Sequence, residues 1–180
     1  MSTTSLRLGI IGAGKLGMTV ARLAVAAGVE VTVSNSGNVE DLAFTAQFLA
    51  PGVEAGTPAE AVAHTDLVLL AVPFHRFRTL PADMLSGRIV IDAMNYWESV
   101  DGTLPNADVS TERSSLLVQQ WFQGSKVVRT LNQLGYHDLN ELPRAAGASD
   151  RTGAGVRGRD HSRERRRPGR QGGAGRSSHQ

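Results

Sequence analysis

Short apolar blocks alternate along the chain with longer stretches whose apolar residues recur at helical spacing. Leu6, Leu8, Ile10 and Ile11 form the first block and run straight into Gly12-Ala13-Gly14-Lys15-Leu16-Gly17. An Ala- and Val-rich pattern then predicts a helix up to Gly28. Glu30 to Ser34, rich in β-branched residues, predicts a second strand. Asn38 is placed to cap a helix through Leu49, which Pro51-Gly52 stops. A short third strand is expected over Val53–Ala55 and a helical turn over Ala59–Ala63, with Pro58 at its first position. Asp66 to Val72, apolar throughout after Asp66, has the pattern of a strand covered on both faces. Phe74 to Leu80 reads as a short, basic, partly helical connection, and Gly87 to Asp92 as a fifth strand. Glu98 to Asp108 reads as a polar loop, followed by a helix capped at Ser110-Thr111 and running to Phe122. Ser125 to Leu131 predicts a sixth strand, and Asn132 to Leu142 a loop with one helical turn.

Strands alternating with helices in this way predict right-handed crossovers. The expected class is α/β, a Rossmann-type doubly wound parallel sheet over residues 1–150. Ligands of such sheets lie beyond the carboxyl ends of the strands. That singles out Gly12–Gly17, Ser34–Ser36, Ala71–His75, Ala93–Tyr96 and Leu131–Gln133. The first of these is a G-x-G-x-x-G with a strand before it and a helix after it, the context that a dinucleotide fingerprint requires. Gly12 permits the tight turn, Gly14 lets a pyrophosphate lie against the backbone, and Gly17 lets helix and strand approach. The helix N-terminus, carrying Lys15 and Leu16 in its first turn, offers N–H groups and a partial positive charge to phosphate.

An NAD site carries an acid about 20 residues past the glycines, at the end of the second strand. Here Ser34, Asn35 and Ser36 occupy that place. No carboxylate repels a 2′-phosphate, and three short polar side chains can hydrogen-bond one, which favours NADP. The usual bidentate arginine is missing, because Gly37 follows.

Charge changes the picture only near the end. Residues 1–150 carry 10 Lys+Arg against 15 Asp+Glu, a net of −5, whereas 151–180 carry 9 Arg against Asp160 and Glu164, a net of +7. The basic balance therefore belongs to residues 151–180, which hold 7 Gly and only Ala154, Val156 and Ala174 as hydrophobic residues. A segment that can bury so little is expected to be disordered. It fits a solvated extension, an arm for acidic surfaces, or the product of a lost reading frame. Nucleic acid is not an expected partner, since no aromatics interleave the arginines and phosphate contacts alone are salt-sensitive.

Other chemistries find little to build on. The absence of cysteine removes disulfides, thiolate nucleophiles and Cys-based metal sites. The five histidines form no i, i+4 pair, so no metal is expected. No G-x-S-x-G elbow is present, and no side chain is singled out as catalytic. No apolar run reaches the roughly 20 residues of a membrane span, and the N-terminus lacks a signal peptide's features. The expected compartment is the cytoplasm, with a small molecule as substrate. His75 is either a pocket acid or a hydrogen-bonded surface residue. Asn95 and Asn132 can orient a ligand or hold a loop, and Asp92 is expected to bond loop backbone.

The combination LGIIGAGKLG, VTVSNS, LVLLAVPF, VIDAMNYW…DG and KVVRTLNQLGYHDL resembles the NADPH-dependent F420 reductases of bacteria and archaea. The likeness runs from about Leu6 to Ala148, and SNS, DAMNYW and RTLNQLGYH are its more specific parts. It implies hydride exchange between the nicotinamide C4 of NADP and the C5 of the deazaflavin coenzyme F420, on a Rossmann core whose C-terminal portion helps form the deazaflavin pocket. By position, Gly12, Gly14 and Gly17 would hold the pyrophosphate, and Ser34, Asn35 and Ser36 the 2′-phosphate. Ala71, Val72, Pro73, Ala93 and Asn95 would line the nicotinamide side, and Asn132 would border the deazaflavin. A homodimer is a further implication. The chain departs from the family at Gly37, where an arginine is usual, and after Asp150, where a strand and helix would follow. Two alternatives stay open: reduction of a small carbonyl or imine by NADPH, and dinucleotide binding without turnover.

Overall fold

The apolar blocks become six parallel strands: β1 (Arg7–Ile11), β2 (Glu30–Ser34), β3 (Glu54–Gly56), β4 (Leu67–Leu70), β5 (Ile89–Asp92) and β6 (Lys126–Arg129). Their spatial order is 3-2-1-4-5-6, the doubly wound order in which chain direction across the sheet reverses between β1 and β4. This computed structural model describes residues 5–102, 111–133 and 135–141, all within a unit that spans Met1–Ala146. The expected tail, 151–180, lies outside the described residues, as do Ser110 and the remainder of the loop to Asp108.

Helices cover the sheet on both faces. They are α1 (Lys15–Ala26), α2 (Val39–Leu49), α3 (Pro58–Val62), α4 (Glu98–Asp101), α5 (Thr111–Trp121) and α6 (Tyr136–Glu141), with a 3₁₀ turn over Phe74–Thr79. Leu8 and Ile10 of β1, Val31 and Val33 of β2 and Leu69 of β4 point to the side that Met18 and Ala21 of α1 and Leu42 and Ala46 of α2 close. Val68 and Leu70 of β4 and Val90 of β5 point to the other, against Val62, Phe74, Phe77, Val118 and Phe122. Alternation along each strand thus feeds two apolar layers, which is why the central strands carry almost no polar residue. Gly9 is the exception that permits contact: a Cβ there would collide with the Ala61 carbonyl, so α3 rests directly on β1.

Local chemistry explains the boundaries. The Asn38 side chain accepts from the N–H groups of Glu40 (2.6 Å) and Asp41 (3.2 Å), capping α2. Thr57 and Glu60 form a reciprocal capping box on α3. The carboxylate of Glu60 accepts from the Thr57 N–H and hydroxyl, which holds it below the usual carboxylate range. Several expectations shift; β4 and β5 are shorter than the expected Asp66–Val72 and Gly87–Asp92. Residues 98–101 form a helical turn instead of loop, because Asp101 accepts the Trp97 N–H (2.8 Å) and Gly102, at φ +73°, ends the turn. The third strand begins one residue later than expected. The sixth is shorter, because Leu131 turns to φ +67° and leaves the sheet.

Candidate dinucleotide site

The strand register sets Gly56, Ser34, Ile11, Leu70, Asp92 and Arg129 in one row at the carboxyl edge. Immediately beyond β1, Gly12 takes φ +118° and donates its N–H to Ser34 (2.9 Å), so the chain turns under α1. A Cβ at Gly12 would collide with the Ala71 backbone, and one at Gly17 with the Gly12 carbonyl. Gly14 differs: a Cβ there would meet nothing within 4 Å. Packing therefore leaves that space open, at the first turn of a helix that no side chain caps and no acid neutralises. A phosphate fits such a place by both shape and charge.

A crevice of about 440 Å³ opens at this edge, between the ends of β1, β2 and β4. Of the residues singled out above, Gly12, Ala13, Gly14, Asn35, Ser36, Ala71, Val72 and Pro73 line it. The Asn35 side-chain oxygen accepts the Gly37 N–H (2.8 Å), which turns its amide hydrogens the other way. Ser34 is fully buried and donates its hydroxyl to the Ile10 carbonyl (3.2 Å), so it fixes the strand end and does not line the crevice. Gly17 and Ala93 are buried, Leu16 packs against the first apolar layer, and Lys15 is exposed in the first turn of α1. The crevice also takes Pro58, Arg76, Thr79 and Leu80, none of which belongs to the motifs above. For Arg76, Thr79 and Leu80 the only signal in the sequence is the basic character of the Phe74–Leu80 connection.

The β5 and β6 ends form a separate cluster. Asn132 donates its amide hydrogens to the carbonyls of Asp92 (3.2 Å) and Met94 (2.8 Å), and Asn95 donates to the Asn132 carbonyl (3.4 Å). These bonds hold the loop after β5 against β6. Buried Asp92 accepts from the Met94 N–H (3.0 Å) and the Ser115 hydroxyl (2.6 Å), while Arg129 donates to the hydroxyls of Ser114 and Ser115 (2.7 Å each). Asp92 thus bonds loop backbone, as its position at a strand end suggested.

His75 is hydrogen-bonded too. Asp101, with its side chain only 2% exposed, accepts from the His75 N–H (3.0 Å) and ring Nδ1 (2.8 Å) as well as from the Trp97 N–H. Burial pushes the Asp101 carboxyl up, but the bonds from Trp97 and His75, with the imidazole's charge, outweigh it and hold the group below its ordinary value. Toward the carboxylate Nδ1 is the donor, which leaves Nε2 for other partners, on a ring 39% exposed. Tyr96 packs edge-on to Phe74 and donates to the Gly102 carbonyl (2.8 Å), and Trp97 is exposed.

A larger hollow, about 730 Å³, lies at the amino ends of β1 and β2. Glu30, Glu54 and Glu60 against Arg7 make it unsuited to a polyanion. Among the described residues no cluster of His, Asp and Glu could hold a metal ion, and no helix is long and apolar enough to cross a membrane.

Known proteins agree with this geometry. A structure from Arthrobacter sp. FB24, provisionally named an F420-dependent NADP-reductase, superposes with a TM-score of 0.64 at 25% identity, over 79% of this chain and 70% of that one. The hypothetical protein SMa0349 of Sinorhizobium meliloti matches at 26% identity and TM-score 0.58, over 77% and 67%. An imine reductase from Bacillus cereus, 20% identical with a TM-score of 0.51 over 68% and 39%, shares the fold. No curated protein matches. Residues 7–96, which hold the glycine turn, Asn35–Ser36 and Ala71–Arg76, match the family model described as NADP oxidoreductase coenzyme F420-dependent. The chain belongs to that family of NAD(P)-dependent oxidoreductases.

Proposed function

We propose that the protein transfers a hydride between NADP(H) and a deazaflavin of the coenzyme F420 type. The observation that carries the dinucleotide half is the open space at Gly14 beside an uncapped helix end, in a chain whose other motif glycines are fixed by packing. Gly12, Ala13 and Gly14 would hold the pyrophosphate, with Asn35 and Ser36 donating to the 2′-phosphate. The bound cofactor would supply the hydride from its nicotinamide. Ala71, Val72 and Pro73 would form an apolar wall that keeps water from the transfer. Asn132 and Asn95 would fix the loop bordering the second substrate. Family membership supports the deazaflavin, as does the provisional name of the Arthrobacter protein.

The His75–Asp101 pair favours a second reading. A small carbonyl or imine takes a proton along with the hydride, and an imidazole held by a buried carboxylate is a suitable donor. One experiment separates the two. NADPH is mixed with the deazaflavin, and loss of NADPH is followed with reduction of the partner's chromophore. Turnover with the deazaflavin is the expected result. Turnover confined to carbonyls or imines supports the second reading, and NADPH binding without turnover refutes both.

A further inference from the structure

Among the described residues Arg76 is the only charged one lining the crevice, and it reaches it from the 3₁₀ turn after β4 while Asn35 and Ser36 reach it from the end of β2. Its neighbours are otherwise engaged: Arg78 lies over the Phe77 ring, and Arg88 donates to the Thr65 carbonyl (2.9 Å). The exposed Arg76 guanidinium makes no hydrogen bond or ion pair among the described residues. The opposite wall presents donors. The Asn35 oxygen is taken by the Gly37 N–H, so its NH₂ group is what remains, and Ser36 adds a hydroxyl. No described carboxylate lines the crevice, because Glu40 and Asp41 lie further along, in the first turn of α2. Donors on one wall and a lone guanidinium on the other match a dianion that carries only acceptors.

We infer that Arg76 binds the ribose 2′-phosphate of NADP(H) and makes this chain select NADP over NAD. It would supply from the β4 side the cation that Gly37 cannot supply from the β2 side. The inference rests on the NADP reading above, and the experiment separates the two.

Calorimetric titration of the wild type, Arg76→Gln and Arg76→Lys with NADPH and with NADH reads it directly. The wild type should bind NADPH more tightly than NADH. Arg76→Gln should weaken NADPH roughly 10- to 100-fold and leave NADH within about twofold, the effect of removing one charge-assisted hydrogen-bonding partner of the phosphate. Arg76→Lys should recover part of that affinity, keeping the charge without the fork. A wild type with no preference for NADPH overturns the NADP reading and the inference with it. A wild type that prefers NADPH, with an unchanged Arg76→Gln, overturns the inference alone. Equal weakening of both cofactors also overturns it, since the guanidinium would then serve the part that the cofactors share. Circular dichroism confirms that the variants fold, as the exposure of Arg76 leads one to expect.

Discussion

At Gly12 the backbone runs at φ +118°, where an L side chain is strained, and at Gly17 a Cβ would enter the Gly12 carbonyl. Both glycines are demanded by the protein itself. Gly14 has an extended backbone that any residue adopts, and a Cβ there would touch nothing. The two kinds of glycine therefore separate by experiment. Gly14→Val should cost less than about 1 kcal/mol of stability, as a poor N-cap, yet weaken NADPH binding at least about tenfold by filling the pyrophosphate's place. Gly17→Ala should lose about 1–3 kcal/mol from overpacking. Thermal melts beside NADPH titrations check both, and a Gly14→Val protein with wild-type affinity would refute the cradle. The same scale shows what a motif conceals. Ser34 and Asn35 look equivalent in sequence, both short and polar at a strand end, but strand pleating sends one hydroxyl inward to Ile10 and leaves the next amide in the crevice.

Strand ends are where elements meet, and there the chain uses side chains to tie separate loops together. Asp101 of α4 binds His75 of the 3₁₀ turn, 26 positions away, and Asn132 binds the β5 loop across 38 and 40. The strands and main helices were legible beforehand because period and capping are local: apolar blocks bounded by Gly and Pro, Asn38 before an amphipathic run, Pro58 at a helix start. The ties were not, since they join positions that only the folded sheet brings together. For the same reason 98–101 read as polar loop, its helical turn depending on Asp101 accepting from Trp97. Arg76 carries no such local signal, because its relation to Asn35 exists only across the sheet's edge. The Asp101 tie has a pH signature. Its carboxyl is held below its ordinary value, so the stabilisation is complete above about pH 3.9 and fades as the pH falls through the lowered value. Asp101→Ala should cost about 1–3 kcal/mol at neutral pH by leaving the His75 and Trp97 donors unpaired. Denaturant melts should show wild type and variant converging below about pH 4. A gap that stays constant down to about pH 2.5 would mean that the charge of Asp101 contributes nothing.

For the whole molecule, the dinucleotide site and the excess of positive charge belong to different parts of the chain. Every described residue lining the crevice falls between Ile11 and Leu80, inside the segment that matches the family, whereas the net charge of +7 belongs to 151–180. Residues 1–150, with their net of −5, repel an anionic cofactor at long range, and nine arginines on the same chain attract it. Such long-range terms are screened within about 8 Å at 0.15 M salt and reach roughly 30 Å at 0.01 M. The two contributions can therefore be told apart by ionic strength. A chain ended after Asp150 should bind NADPH as tightly as the full chain at 0.15 M salt. At about 0.01 M it should bind more weakly than the full chain, because the arginines' attraction is gone while the crevice is intact. Fluorescence titration of both chains at the two ionic strengths measures this. If the shortened chain binds tenfold or more weakly at the higher salt, residues beyond Asp150 touch the cofactor themselves, and the site extends past the crevice that Gly14, Asn35 and Arg76 define.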